Sequence, residues 1–353
     1  MSSALTIRAG QTALGRLRDG GWDPDWFSSL VGASGGPKWL VLSQIDRVLA
    51  TEFVAPRKQP LAVLGSSIGT FRHLCLAQKD PLAALERFEE AYIAQAYESE
   101  PTPREVSLES ERVIEVLFDR TGREEVLTNP AIGTHIIAVR SRRPVASDGR
   151  TALALGLGVA AIANAIDRRW LAAFFERAVF HSGTNAFSFD DFHTQTIGLS
   201  TENLDAAALA SGSIPIVMDG VDAIPGARAG RYRDGGIIDY HFDFAFGAPD
   251  GLILYPHFFE RITPGWFDKG LGRRRPSGAA LDRTVLITPA PTFVGQLPGG
   301  KVPDRDDFRN LSTSERQTQW HKIVDCCRKP ADELADLLAA GRLGEVAEPF
   351  GPG

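Results

Sequence analysis

Short apolar runs alternate with longer stretches of helical spacing along most of this chain. Residues Ser29–Val31, Leu61–Leu64, Ile136–Val139, Leu252–Tyr255 and Val285–Ile287 form compact apolar runs, which predict short buried strands. Between them, Leu40–Leu49, Ile68–Ala77, Pro81–Tyr97, Glu109–Phe118, Asp167–Val179 and Leu204–Ala210 carry helical patterns. Strands alternating with helices predict a mainly parallel sheet covered on both faces. Pro101 and Pro103 mark a break between two helices, and the Pro-, Gly- and Asp-rich stretch from Pro289 to Asp307 reads as a surface excursion. Ser312–Ala340 then reads as helical, with Pro330 near a helix start, and Pro349–Gly353 as a frayed end. The expected organisation is one domain over 1–295, followed by the excursion and a helical appendage over 296–353.

The longest apolar stretch, Ala152–Ala163, is too short to span a bilayer. Its Gly and Ala content predicts a closely packed, buried helix, with a lipid-facing or lid element as the alternative reading.

Composition narrows the partners. The chain of 353 residues is 43% hydrophobic and carries a formal charge of −6, enough for a sizeable core and poorly suited to nucleic acid. A local basic patch such as Arg273-Arg274-Arg275 leaves room for transient contact with a membrane surface. Cys75, Cys326 and Cys327 make no disulfide framework and no C-x₂-C spacing, so a reducing, cytoplasmic setting is expected and no metal site is. Asp190-Asp191-Phe192-His193 lacks a ligand spacing and reads as a solvated loop. The N-terminus lacks the layout of a signal peptide.

Candidate chemistry lies in two glycine-rich turns. Gly32-Ala33-Ser34-Gly35-Gly36-Pro37-Lys38 follows the first apolar run, and Gly65-Ser66-Ser67-Ile68-Gly69 follows the second. Both fit G-x-S-x-G, so the spacing alone does not choose between Ser34 and Ser67 as a nucleophile. The second reads as a strand-to-helix elbow that holds the Ser67 hydroxyl at a helix N-terminus, with Gly65 and Gly69 clearing the tight turn. The first reads as a backbone N–H cradle for negative charge. A phosphate-binding Walker loop is disfavoured there, because Pro37 has no N–H to donate and Trp39 stands where a metal-binding hydroxyl is required. Downstream, Ala208–Val217 is a small-residue segment ending in a turn, and Asp234-Gly235-Gly236 places a carboxylate where backbones approach closely.

Taken in order, these four segments resemble the patatin-like acyl hydrolases. The resemblance spans about Val31 to Gly236 and implies an α/β fold, a patatin-like three-layer sandwich with a mainly parallel central sheet. It implies Ser67 as nucleophile and Asp234 as base of a two-residue dyad. It also implies an oxyanion hole at Gly35 and Gly36, with Lys38, Gly65, Gly69, Gly235 and Gly236 supporting the motifs and no cofactor. By the same resemblance Ser34 belongs to the oxyanion loop. The sequence departs from the family at Ser34 and Trp39 in that loop, and at Thr70-Phe71-Arg72-His73 after the elbow, where bulkier residues stand.

The expected activity is hydrolysis of an acyl ester, of a phospholipid or lysophospholipid, with partial burial raising the Asp234 pKa to a useful range. Two alternatives remain open on the sequence. One is a Ser67–Asp234–His triad drawing on His241 or His257, in the order of α/β-hydrolases. The other is an inactive lipid- or acyl-binding module on the same scaffold.

Overall fold

In the computed structural model, which describes residues 3–97, 100–147, 149–244 and 246–350, the chain folds around one large twisted sheet flanked by helices. Its strands are β1 (Leu5–Ala9), β2 (Phe27–Gly32), β3 (Leu61–Ser66), β4 (Ile132–Ser141), β5 (Phe175–His181), β6 (Thr194–Gly198), β7 (Val221–Asp222), β8 (Arg231–Asp234), β9 (Leu252–Pro256), β10 (Thr284–Pro289) and β11 (Glu348–Pro349). The spatial order is β11-β1-β10-β9-β2-β3-β4-β5-β6, with β8 bridging β4 and β7. The centre, β10-β9-β2-β3-β4, is wholly parallel, and β1, β5 and β8 join it antiparallel. This is the expected α/β three-layer sandwich with a mainly parallel sheet. Every residue of β3, β9 and β10 is buried, as strands covered on both faces require.

The helices that matter below are α1 (Gln11–Gly20), α2 (Ser43–Val48), α3 (Ile68–Leu76), α4 (Pro81–Ala94), α5 (Pro103–Phe118), α6 (Arg150–Ile166), α7 (Leu204–Gly212), α8 (Thr313–Cys326) and α9 (Arg328–Ala339). Pro103 sits in the first turn of α5, behind a Thr102–Glu105 capping box, so the break expected at Pro101 and Pro103 is a helix start. Residues 313–339 pack against α2, α4 and β1, and Trp320, Ile323 and Leu334 are buried in the same core as the sheet.

Four expectations change. The stretch Asp167–Val179 is not a helix: a short 3₁₀ turn, Arg168–Ala173, leads into β5. Glu176 and Arg177 look like a solvated helix face in sequence, but both are buried within ion pairs. Glu176 meets Arg140, Arg142 and Arg228, while Arg177 grips Asp239 and Asp191. Asp191 is therefore an ion-pair partner rather than a freely solvated loop residue. At the C-terminus, Pro349 pairs with Ala9 on β1 instead of fraying, and residues 351–353 lie outside the described residues. Ala152–Ala163 is indeed helical, but α6 buries only one side. Leu153, Gly156, Leu157, Ala160 and Asn164 face inward, while Leu155, Val159, Ile162 and Ile166 face solvent.

Candidate active site

Topology brings the two motif residues together. Strand β3 runs along one edge of β4 and stops at Ser66, opposite Ile137. Strand β8 runs the other way along β4 and stops at Asp234, opposite Ala138. The two strands therefore end against each other on neighbouring residues of β4. Ser67, just past the end of β3, lands beside Asp234: its Oγ donates a hydrogen bond to Asp234 Oδ2 across 2.8 Å.

Ser67 pays a conformational cost for that position, with φ 53° and ψ −126° where α3 begins. The glycines make this turn possible. A Cβ at Gly65 would lie 2.6 Å from the Thr70 Cα, and one at Gly69 would overlap the Gly32 carbonyl of the neighbouring strand. Ser211, at the end of α7, fixes the elbow backbone. Its Oγ accepts from the Ser67 N–H (2.9 Å) and donates to the Ile137 carbonyl (2.6 Å). Its single proton is thereby committed, so in the 2.9 Å contact with Thr70 the Thr70 hydroxyl is the donor. The Ser67 N–H is occupied as well and is not available to an oxyanion.

Asp234 is held from the other side by the Gly236 N–H, 2.7 Å from Oδ1. Its carboxyl is pushed above the usual aspartate range, first by burial. The Ser67 hydroxyl, Arg305, the Gly236 N–H and Lys269 pull it back down. Gly235 and Gly236 are required by crowding, because a Cβ would press on the Ile137 carbonyl in the first case and on Ser34 Oγ in the second. Past the dyad, the Arg177 guanidinium spans Asp239 and Asp191, pinning the Gly235–Asp239 turn to β5.

The first glycine loop closes over this arrangement. Ser34 donates its N–H to the Tyr240 carbonyl (2.8 Å) and its hydroxyl to Ser66 Oγ (3.0 Å), so Ser34 is a loop strut and touches neither Asp234 carboxylate oxygen as a donor. Gly36 adopts φ 56°, and among the described residues neither the Gly35 nor the Gly36 N–H is taken by another group. Lys38 lies partly buried at the loop's exit, its ammonium lowered first by desolvation.

The residues that depart from the family pattern have local reasons. Trp39 is fully buried and stacks on Phe88 at 4.6 Å, with Tyr92 edge-on at 5.7 Å, so it anchors the loop to α4. Arg72 pairs in bidentate fashion with Asp46, both contacts at 2.6 Å and both groups buried, which ties α3 to α2.

Neither histidine of the alternative triad reaches the dyad. His241 and His257 pack against each other at 4.3 Å. His241 Nδ1 accepts from Thr263 N, and His257 Nδ1 meets the backbone of Phe259. Burial keeps both rings neutral, His257 with a pKa of about 3. Phe174 and Phe175 join a separate apolar cluster with Val139, Leu153 and Ile237. Among the described residues no group of His, Cys, Asp and Glu is arranged to hold a metal ion. Sequence reasoning missed Ser211 as the elbow's brace, and it missed Lys269 and Arg305, which act electrostatically on Asp234 from distant loops.

No protein-family model matches the chain, and no curated protein matches it.

Proposed function

We propose that this protein is a serine acyl hydrolase of patatin-like type, which cleaves carboxylic esters through a Ser67–Asp234 dyad. The observation that carries the reading is a serine hydroxyl, strained at a strand-to-helix elbow, donating directly to a buried carboxylate of raised pKa. In the proposed cycle Ser67 Oγ attacks the ester carbonyl carbon as Asp234 Oδ2 takes its proton. The Gly35 and Gly36 N–H groups hold the oxyanion. Collapse breaks the bond to the alcohol, which leaves with the proton from Asp234. Water then attacks the acyl-serine, Asp234 accepts its proton, and the acid departs as Ser67 Oγ is reprotonated. The turnover of p-nitrophenyl esters tests this. Ser67→Ala and Asp234→Asn remove most of it, and His241→Ala and His257→Ala retain it; loss in either histidine variant as well as in Asp234→Asn favours the Ser67–Asp234–His triad, and no turnover in wild type favours the binding module.

The substrate is a lipid ester met at an anionic membrane surface. Among the described residues no helix is long and apolar enough to cross a membrane. Helix α6 is nevertheless built to lie on one. Leu155, Val159, Ile162, Ile166 and then Trp170 are 52–68% exposed along one face, and no charge interrupts the chain between Arg150 and Asp167. Arginines frame the stripe: exposed Arg150 at its start, Arg273 and Arg274 donating to the carbonyls of Ala165 and Asn164, and at its end exposed Arg169, which is paired with Asp167 at 2.7 Å. Two copies of this face would bring arginine against arginine, whereas an anionic bilayer complements both stripe and rim. Flotation with phosphatidylglycerol vesicles, weakened in Leu155→Asp/Ile162→Asp and absent with phosphatidylcholine, is the expected result. A dimer in solution that the same double variant dissolves would replace the bilayer with a second copy.

A further inference from the structure

Arg305 and Lys269 stand near Asp234, with Lys38 near Lys269, and among the described residues none of the three is in an ion pair. Arg305, on the loop that the sequence reads as a surface excursion, lies over the oxyanion loop, its Nε 3.4 Å from where a Cβ on Gly36 would stand. Lys269 places its Nζ 4.0 Å from the Tyr240 ring, the residue whose carbonyl holds Ser34. Lys38 is the last residue of the glycine loop before Trp39. Arg305 and Lys269 both bear on the Asp234 carboxylate, while Lys38 and Arg305 both repel the Lys269 ammonium. Among the described residues, none of the three has a carboxylate within ion-pair distance or donates a side-chain hydrogen bond.

The acids nearby are engaged elsewhere or act from further off. Asp304 and Asp307 pair with Lys301 at 3.1 and 2.7 Å, and Asp268 accepts from Asn164 and from the Gly265 N–H. Asp304 and Asp306 favour the charged form of Lys38 only through space, against Arg305 and Lys301. Desolvation of its ammonium, followed by Arg305 and Lys38, brings Lys269 down to about 7, although the residue as a whole is exposed. Keeping Arg305 and Lys38 close to the Lys269 ammonium is electrostatically unfavourable, since both disfavour its charged form. An anion arriving beside the dyad removes that repulsion, and Arg305 supplies the planar donor fork that suits a carboxylate or phosphate.

We propose that Lys38, Lys269 and Arg305 form an anion-binding subsite beside Ser67, so that the preferred esters carry a carboxylate or phosphate close to the scissile carbonyl. As a statement about substrate it rests on the acyl-hydrolase reading; as a statement about binding it does not. The anion has two possible sources, the acyl side or the alcohol side of the ester. Two substrate pairs separate them: mono-p-nitrophenyl succinate against p-nitrophenyl butyrate, and 1-acylglycerol 3-phosphate against 1-acylglycerol.

The wild type is expected to prefer the anionic member of at least one pair by about tenfold or more in kcat/KM. Arg305→Gln and Lys269→Gln each reduce that ratio by about tenfold, mainly through KM of the anionic member. Using the ratio cancels any change at Asp234 itself. A wild-type ratio of one or below in both pairs, or a ratio that neither variant moves, overturns the proposal.

Binding without turnover keeps the subsite testable if no ester is cleaved. Hexyl phosphate titrated calorimetrically into Ser67→Ala protein should bind, and about tenfold more weakly in Ser67→Ala/Arg305→Gln, with circular dichroism showing both folded. No binding of hexyl phosphate, or equal binding in the two proteins, refutes the subsite whatever becomes of the hydrolase reading.

Discussion

Replacing Ser67 by glycine and, separately, by alanine isolates the strain at the elbow from its chemistry. Both variants lose the hydroxyl and leave Asp234 Oδ2 without the same donor, so that loss cancels between them. What remains is the Cβ. At φ 53° and ψ −126° an L-residue sits in a region that glycine occupies freely, and such strain costs on the order of 1–3 kcal/mol. Glycine gives back roughly 0.5–1 kcal/mol through its more flexible unfolded chain. Ser67→Gly is therefore expected to exceed Ser67→Ala in stability by about 1 kcal/mol. Equilibrium urea unfolding followed by circular dichroism reads the difference as a higher midpoint at unchanged slope. A glycine variant no more stable than the alanine variant would refute the claim that Ser67 is held in a strained turn.

Further outcomes follow from the same contacts. Asp234→Asn should lower kcat/KM for esters by about 10²- to 10⁴-fold, since it removes the proposed general base while keeping its shape. Because burial raises the folded-state pKa of Asp234, wild-type stability falls as pH rises from the ordinary aspartate value through the folded one. Asp234→Asn should lack that fall, in melting temperature measured against pH, and the wild-type rate should rise with pH through a group above the ordinary aspartate range. Ser211→Ala leaves the Ser67 N–H and the Ile137 carbonyl without their partner, which costs about 1–3 kcal/mol in urea unfolding and lowers kcat by loosening the elbow. Gly69→Ala forces a Cβ into the Gly32 carbonyl and should destabilise by about 1–3 kcal/mol in the same assay, with loss of ester turnover.

The central strands are legible in the sequence because both of their faces are buried, so Leu61–Leu64 and Val285–Ile287 stand out as unbroken apolar runs. Strands β5 and β8 are not, and for one reason: their charged residues lie inside. Glu176, Arg177 and Arg233 are buried, so their charges mimic a solvated face. Helix α6 errs in the other direction, apolar in composition yet open on the side that carries Leu155 and Ile162. The Ser67–Asp234 pair is readable through the resemblance carried by the glycine motifs in their order, and the structure finds the close backbone approaches those glycines allow at Gly69 against Gly32 and Gly235 against Ile137. Lys269 and Arg305 leave no such trace. They come from irregular loops whose course over the site follows from tertiary packing rather than from any local period.

The central claim is that Ser67 is a nucleophile activated by Asp234. Labelling with a fluorophosphonate, followed by mass-spectrometric location of the adduct in wild type, Ser67→Ala and Ser34→Ala, tests it most directly. The adduct is expected on Ser67, retained in Ser34→Ala and lost only in Ser67→Ala. An adduct on Ser34, or none on a protein shown to be folded, would contradict it.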